Sequence, residues 1–300
     1  MASEVLTDAQ IAFYRDNGYL VLENRIPMAA IEAIRAEIAR FEEEARGLTA
    51  SSDRLDLEDS HTPDAPRIRR IKLPHTISDT VRDLMYSDHV LAPVRDLIGP
   101  DLRLHTTKLN MKSAGYGAAI EWHQDMAFYP HTNDDVLAVG VMIDDMAPEN
   151  GPLMVFPGSH KGPTHDHHAG GVFVGAVDLQ ASGLDARDAV MLTGPAGSIS
   201  IHHGRSLHGS ALNLSARNRR VLFYEVMAAD AFPVMGSMTG FSSLEEYNER
   251  MLCGRPGIEP RLVDWPVRIP LPQPESRGSI YEIQKGLPHR GFSIYDTEKT

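Results

Sequence analysis

The sequence predicts a mainly β fold with flanking helices, in which antiparallel strands form a sandwich or barrel. Residues 102–111 alternate apolar and polar side chains, as expected of a strand with one buried face. Residues 136–143 form a nearly continuous apolar run, which is typical of a strand buried on both faces. Turns that contain Gly or Pro separate these runs from further candidate strands at residues 152–157, 198–202 and 220–227.

Residues 1–100 predict a mainly helical flank to this β region. The segment Thr7-Asp8-Ala9-Gln10 has the capping-box form of a helix start, and Gly18 is a suitable helix stop. Pro27 introduces a second helix in which apolar side chains recur at helical spacing. Residues 81–98 predict one further amphipathic helix.

Residues 48–66 are polar and contain two prolines, which predicts a long loop or lid. Within it, His61 is a candidate substrate residue. The basic run at residues 67–72 is expected to be a solvated edge strand. Acidic side chains in the loop mildly disfavour a highly anionic ligand such as a CoA thioester; they are Asp56, Glu58 and Asp59.

Composition narrows the classes of function. The 300 residues carry a formal net charge of -12, which argues against a nucleic-acid surface or an anionic membrane as the main partner. The single cysteine, Cys253, excludes an intrachain disulfide framework and fits a reducing compartment. We find no signal-peptide pattern and no apolar stretch of about 20 residues. We therefore expect a cytoplasmic protein; the sequence does not indicate its oligomeric state.

Two short segments carry the chemistry: residues 122–125, Trp-His-Gln-Asp, and residues 208–210, His-Gly-Ser. On an extended strand His123 and Asp125 would point to the same face, so both could bind one metal ion. A second imidazole, from His208 on a distant strand, would complete a three-ligand face. Two imidazoles and one carboxylate leave positions open for oxygen and a co-substrate, a pattern typical of non-haem Fe(II) oxygenases.

The His-x-Asp spacing alone is weak evidence. With 14 histidines in the chain, chance predicts about one such pair, and one is present. An exposed loop with an unrelated histidine and aspartate would explain it without any metal. The interpretation therefore depends on the surrounding sequence.

Several blocks stand in a fixed order along the chain. They are Gly18-Tyr19, Trp122-His123-Gln124-Asp125, Asn150-Gly151-Pro152-Leu153, Pro157-Gly158-Ser159-His160-Lys161, and residues 208–215 followed by Arg219-Arg220. Together they resemble the phytanoyl-CoA dioxygenase family of Fe(II)/2-oxoglutarate-dependent oxygenases. The resemblance covers most of residues 5–228, and the tail from Ala229 matches no pattern.

The resemblance implies a double-stranded β-helix, or jelly-roll, within a single domain. Residues 1–100 would form the helical flank, residues 101–228 the jelly-roll core and residues 229–300 a C-terminal extension. The cofactor would be Fe(II), with 2-oxoglutarate and oxygen as co-substrates.

The resemblance also assigns site residues. His123, Asp125 and His208 become the iron ligands. Family members place an arginine eleven positions after the distal histidine, which selects Arg219, and Ser210 is the matching hydroxyl. An arginine fork suits the far carboxylate of 2-oxoglutarate, because it makes two parallel charge-assisted hydrogen bonds.

The geometry around this arginine is an expectation. If His208 ends one strand and Arg219 lies on its antiparallel partner, both side chains point into one barrel. Arg217 is the competitor by strand parity, and Arg220 is expected to face outward.

Other candidates lie near the same pocket. Lys108 and Asn110 share a strand face that would look into the barrel, and relatives use this strand to contact the co-substrate or the substrate; Thr107 has the alternative phase. His131 and Tyr129 are candidates for the pocket mouth.

The remaining histidines are expected to have structural roles. His202 and His203 adjoin, so at most one approaches the pocket, as a core histidine or one that contacts a ligand. Residues 165–168 contain three histidines and predict a solvated loop. His160 is expected to order a turn.

The expected reaction is hydroxylation of an unactivated C–H bond of a small molecule, with release of succinate and carbon dioxide. Asp125 disfavours halogenation, which needs a small residue at that position. Two alternatives remain open: a zinc-dependent jelly-roll hydrolase or isomerase, and a non-catalytic barrel that binds a ligand. Neither alternative gives Arg219 a role, and dependence of oxygen uptake on 2-oxoglutarate distinguishes them.

Overall fold

Two antiparallel β-sheets line one cavity in the computed structural model of the chain, which describes residues 4–115, 117–235, 241–274 and 279–292. In chain order the strands are β1 (Tyr19–Leu22), β2 (Leu55–Leu57), β3 (Ile68–Lys72), β4 (Leu102–Lys112), β5 (Ile120–His123), β6 (Val136–Met142), β7 (Leu153–Val155), β8 (His168–Ala169), β9 (Val172–Phe173), β10 (Val190–Leu192), β11 (Ile199–His203), β12 (His208–Ser210), β13 (Arg219–Ala228) and β14 (Met251–Cys253). The helices are α1 (Asp8–Asn17), α2 (Met28–Glu44), α3 (Asp79–Met85), α4 (Asp88–Ile98), α5 (Leu244–Asn248) and α6 (Ile280–Ile283).

The larger sheet has the order β1-β11-β6-β13-β4-β3-β2, and β14 adds to β4. The smaller sheet has the order β10-β7-β12-β5. This pair of antiparallel sheets confirms the predicted jelly-roll core and each of the five strands expected between residues 102 and 227. The sheet extends beyond residues 101–228, because β1, β2 and β3 come from the helical flank and β14 from the extension.

The N-terminal helices cover the outer face of the larger sheet. α1 starts with the predicted capping box, in which the Thr7 side chain accepts from the Gln10 backbone amide, and it ends at Gly18 with φ 75°. The apolar face of α2 joins one hydrophobic core with the outward side chains of the sheet; from α2 these are Ile31, Ile34, Ile38 and Phe41. The sheet's other face is therefore left to line the cavity.

The single helix predicted over residues 81–98 is wrong, because two helices, α3 and α4, meet at Ser87. The Ser87 hydroxyl donates to the carbonyl of Leu84 at the end of α3, while its own carbonyl accepts from the amides of Val90 and Leu91 in α4. One residue thus ends one helix and starts the next.

The segment predicted as a loop and a solvated edge strand forms part of the sheet. β3 lies between β2 and β4, so the basic run is interior. Its charges are paired: Arg70 and Lys72 contact Asp56, and Arg69 contacts Glu58. Because these carboxylates are already neutralised, the argument that they disfavour an anionic ligand does not hold.

Across the four described ranges, no helix is both long and apolar enough to span a bilayer.

Candidate active site

Three side chains converge at one wall of the cavity, on or beside the smaller sheet. The Nε2 atoms of His123 and His208 lie 3.7 and 3.8 Å from Oδ1 of Asp125. Ligand atoms of the three residues all lie within 4.8 Å of one another, and all three residues are buried. The structure therefore brings the predicted iron ligands together.

The two imidazoles are oriented by the backbone. Nδ1 of His123 donates to the carbonyl of Glu121 at 2.7 Å, and Nδ1 of His208 donates to the carbonyl of Ser206 at 2.9 Å. Each bond fixes the tautomer in which Nε2 carries a lone pair. Burial lowers the pKa of both imidazoles, which keeps them in the neutral form that a metal requires.

A further histidine holds the carboxylate ligand. His202 Nε2 lies 3.3 Å from Oδ2 of Asp125, whereas the two ligand imidazoles approach Oδ1. The two oxygens thus have separate partners, and Oδ1 is the one directed to the metal position. His203 points the other way, toward Tyr14 and His160, which confirms that only one of the adjacent pair reaches the pocket.

The expected strand geometry differs in two respects. β5 ends at His123, and Asp125 begins a 3-10 turn, so the turn rather than strand alternation brings the pair together. β12, which starts at His208, pairs with β5 and β7, whereas β13 with Arg219 pairs with β4 and β6. The expectation that these two strands are partners is wrong; they belong to different sheets that line the same cavity.

Arg219 is the inward-facing arginine. It lines the cavity and is 2% exposed, whereas Arg220 pairs with Asp144 and Arg217 lies at the surface with Glu149. Within the described ranges its Nε has no hydrogen-bond partner and its guanidinium forms no ion pair. Burial lowers the pKa of Arg219 to about 10, so it stays charged at neutral pH. A buried, unpaired cation in the same cavity as a metal position fits an anionic ligand.

Ser210 also lines the cavity, and its hydroxyl lies 2.9 Å from Nζ of Lys112. Asn110 lines the cavity as predicted, and its Oδ1 has no partner among the described residues. The Thr107 hydroxyl, by contrast, lies 2.7 Å from Nδ1 of His75, so this side chain is already engaged.

Lys108 faces the cavity beside two groups from other elements. Its Nζ lies 2.6 Å from Oε1 of Glu225, and the Tyr129 hydroxyl donates to Oε2 of Glu225 at 2.9 Å. Lys108 and Tyr129 are therefore in the pocket, as predicted. Glu225 was not predicted, although a lone charged residue in the apolar segment 221–228 is a signal that could have found it.

Two substrate candidates lie away from the cavity wall. His61 has both ring nitrogens hydrogen bonded to backbone, at Leu48 and Arg67. His131 is fully buried behind His105, with ring centroids 5.2 Å apart. Neither side chain lines the cavity, so the structure does not support a substrate role for either. Their local sequence gave no information on which chain segment would cover them.

One histidine of the loop at residues 165–168 contacts the segment that carries His123 and Asp125. The prediction of a solvated loop is wrong for His167, which is buried and accepts from the Gln124 amide at 3.0 Å. His168 pairs with Asp166 near the surface. His160 lies in a 3-10 turn, as expected, with Nε2 3.1 Å from the carbonyl of Arg15.

The cavity has a volume of about 740 Å³. Its wall includes Ile280 and Ile283 of α6, so part of the C-terminal extension covers the site. Gln284 fastens this segment to the metal-bearing strand, because it accepts from the Glu121 amide at 2.9 Å.

Comparisons with known proteins agree with this geometry. The family model for phytanoyl-CoA dioxygenase (PhyH) matches residues 14–221. A probable alpha-ketoglutarate-dependent hypophosphite dioxygenase from Stutzerimonas stutzeri is 34% identical over 283 residues, which covers 93% of this chain and 97% of that protein. L-proline trans-4-hydroxylase from Streptomyces griseoviridis is 29% identical over 255 residues, covering 77% of this chain and 91% of that protein.

A solved structure shows the same fold. EctD from S. alaskensis with bound 2-oxoglutarate and 5-hydroxyectoine superimposes with a TM-score of 0.63 and 25% identity, covering 76% of this chain and 79% of that one. The family match spans both metal-binding segments and Arg219. The chain therefore belongs to the phytanoyl-CoA dioxygenase family of iron- and 2-oxoglutarate-dependent oxygenases.

Proposed function

We propose that this chain hydroxylates a small molecule with iron held by His123, Asp125 and His208, and that Arg219 binds the far carboxylate of 2-oxoglutarate. The observation that carries the proposal is the buried guanidinium of Arg219, which lines the cavity of the three metal ligands and forms no ion pair with a described residue. Burying a charge without a partner is costly, so such a group is expected to receive an anion.

The donor set fits iron. Two neutral imidazoles and one carboxylate, with open positions beside them, form the arrangement used by non-haem iron oxygenases. When bound, iron would supply the redox chemistry that couples oxygen to the conversion of 2-oxoglutarate into succinate and carbon dioxide. The chain's own part is to hold and orient the reactants.

Different residues have different parts in that task. His202 orients the Asp125 carboxylate, and Ser210 offers a hydroxyl beside Lys112, which lies opposite Arg219 in the β4–β13 ladder. Phe128 and Phe223 present apolar rings to the cavity, and α6 covers it, so water is displaced from the reacting groups.

The substrate is proposed to be a small molecule. One relative is named for hypophosphite and another for L-proline, and both compounds are therefore early candidates. A zinc hydrolase with the same three ligands, or a non-catalytic barrel, would leave Arg219 without a partner. Succinate formation and oxygen uptake that require 2-oxoglutarate would exclude both alternatives.

The proposal is tested by replacing Arg219 and titrating 2-oxoglutarate into the anaerobic Fe(II) protein, following the charge-transfer absorption of the chelate. Loss of one partner of a buried charge pair costs about 3–5 kcal/mol, which corresponds to roughly a hundred- to several-thousand-fold weaker binding in Arg219→Ala. Arg219→Lys should lie between, because a point charge keeps the attraction but loses the fork.

Arg217→Ala is the matched control, because Arg217 lies at the surface with Glu149. Its affinity for 2-oxoglutarate should equal that of the wild type, and all variants should retain iron. Unchanged affinity in Arg219→Ala would refute the co-substrate assignment.

A further inference from the structure

Part of the cavity wall carries charges that 2-oxoglutarate does not account for. β13 pairs with β4, with Arg219 opposite Lys112 at one end and Phe223 opposite Lys108 further along. The two lysines are four positions apart on β4, which corresponds to about 13 Å of strand. Lys108 therefore lies well away from the arginine that is proposed to hold the co-substrate.

Lys108 is connected to the metal position instead. Its partner Glu225 accepts from the hydroxyl of Tyr129, which follows Asp125 by four residues, and Lys108, Tyr129 and Asp125 all line the cavity. Glu225 holds the ammonium group at 2.6 Å. A ligand group bound to Lys108 would thus be next to the place where oxidation occurs.

The ion pair is exposed on one side only. The Glu225 side chain is 2% exposed. Its Oε1 forms an ion pair with Lys108, and its Oε2 accepts a hydrogen bond from the Tyr129 hydroxyl. The Lys108 side chain is 26% exposed and opens to the cavity. An ammonium has three protons, so Lys108 can donate to a ligand while it stays paired with Glu225.

A β-bulge adds a second group beside it. Along the β4–β13 ladder Thr106 pairs with Glu225 and Leu104 with Val226, so His105 has no partner. A bulge re-aims the side chains around it, and here both His105 and Thr106 line the cavity. The His105 ring packs 4.2 Å from the Tyr129 ring, and no described residue hydrogen-bonds its nitrogens.

Arg250 supplies another positive charge. It lines the cavity and donates to the carbonyl of His105, but forms no ion pair within the described ranges. This part of the wall therefore carries the cations Lys108 and Arg250 and the carboxylate Glu225, whereas Lys72, opposite Lys108 in the β3–β4 ladder, is paired with Asp56.

We propose that Lys108, His105 and Arg250 form an oxyanion subsite, which holds a carboxylate or phosphorus oxyanion group of the substrate beside the metal. This inference rests on the proposed function, because it takes the Arg219 side of the cavity to be filled by 2-oxoglutarate. A cationic substrate group is disfavoured, because the carboxylate that would receive it is buried and has both oxygens engaged. Lys108 is thereby a substrate residue rather than a co-substrate residue.

The test measures binding of small probes to the anaerobic Fe(II) protein saturated with 2-oxoglutarate, by titration calorimetry. The anionic probes are hypophosphite, methylphosphonate and propionate, which separate phosphorus oxyanions from carboxylates. Propionamide is the neutral control and methylammonium the cationic one. We expect at least one anion to bind more tightly than both controls.

Lys108→Met should weaken that anion about ten- to a hundredfold, as expected for loss of a charge-assisted hydrogen bond. Lys161→Met is the matched control, since it removes the same charge from the surface, where Lys161 is paired with Asp16. It should change anion binding less than threefold. The double variant Lys108→Met/Glu225→Gln removes the pair together and should lose as much affinity without leaving a buried carboxylate unpaired.

Glu225→Gln tests whether the subsite binds an anionic or a cationic group of the substrate. An anion should bind as tightly as in the wild type or more tightly, because the competing carboxylate is gone. Weaker anion binding with loss of methylammonium binding would overturn the proposal, as would equal binding of all probes to the wild type. If Lys108→Met weakens 2-oxoglutarate as strongly as Arg219→Ala does, Lys108 belongs to the co-substrate.

Failure of the proposed function is recognised separately. In that case the wild type does not bind 2-oxoglutarate with Fe(II). Anion binding to the metal-free protein, compared between wild type, Lys108→Met and Lys161→Met, then still measures the subsite.

Discussion

Lys112 is a buried lysine opposite Arg219 in the β4–β13 ladder, and sequence reasoning gave it no role. Its Nζ lies 2.9 Å from the Ser210 hydroxyl oxygen and 3.1 Å from the Ser210 carbonyl, and it also contacts the carbonyl of Ala211. Burial and the charge of Arg219 lower the pKa of Lys112, whereas these three oxygen acceptors match the three protons of an ammonium group and favour the charged form. Because an ammonium only donates, the Ser210 hydroxyl accepts from Lys112 and keeps its own proton for another acceptor. Lys112 is thus placed to turn Ser210 into a donor toward the proposed co-substrate.

This arrangement predicts coupled effects. Lys112→Met and Ser210→Ala should each weaken 2-oxoglutarate binding about three- to tenfold, the size expected for one hydrogen bond. The double variant should be little weaker than either single variant, because both remove the same bond. The measurement is the anaerobic titration with Fe(II), and iron content should not change. Multiplicative losses would show that the two residues act independently.

At the scale of elements, the α1–β1 corner supports the strand that carries a metal ligand. The carbonyl of Gly18 accepts from the His203 amide and from the Ser206 hydroxyl, both at 2.9 Å. The segment after Ser206 leads directly to His208 in β12. These hydrogen bonds explain why a Gly18-Tyr19 block belongs to the sequence pattern that resembles the family.

Gly18→Ala should destabilise the fold for two reasons. The residue has φ 75°, and an added Cβ would lie 2.6 Å from the Ser206 hydroxyl oxygen. Gly47→Ala is the matched control, because Gly47 has φ 81° with nothing within 4 Å of the new Cβ. We expect the control to cost about 1–2 kcal/mol of unfolding free energy, and Gly18→Ala roughly 1–3 kcal/mol more. Urea unfolding of both variants measures the difference. Equal losses of unfolding free energy would show that the contact with Ser206 is relieved without cost.

At the scale of the whole molecule, the two sheets contribute different parts of the site. The proposed iron ligands belong to β5, β12 and the turn that follows β5, whereas Arg219, Lys108 and His202 belong to the larger sheet. A ligand that binds both the metal and Arg219 would connect the two sheets. A ligand that binds only the folded state increases the free energy of unfolding.

The proposed co-substrate should therefore raise the melting temperature beyond the effect of metal. At a free concentration of 100 times its Kd, a ligand adds about 2.7 kcal/mol, which corresponds to a shift of several degrees for a chain of this size. Arg219→Ala should keep the metal increment and lose the 2-oxoglutarate increment at the same concentration. Anaerobic thermal unfolding with Fe(II), with and without 2-oxoglutarate, checks this. An equal 2-oxoglutarate increment in both proteins would contradict the arrangement.

Patterns of local sequence determined several strands, the ends of α1 and the candidate metal ligands. Alternation of side chains located β4, and a continuous apolar run located β6, because the two faces of a strand are set by backbone geometry alone. The capping box and Gly18 set the ends of α1 for equally local reasons. The motif residues His123, Asp125 and His208 followed from their chemistry together with the family resemblance.

Only the tertiary structure decided which distant groups meet. The pairing of Asp56 with Arg70, the contact of His202 with Asp125 and the burial of Glu225 all depend on strand order, which no local pattern contains. The bulge at His105 depends on register with β13. These contacts set the charge balance of the cavity, because whether a carboxylate is free to bind a ligand or already neutralised depends on neighbours far away in the chain.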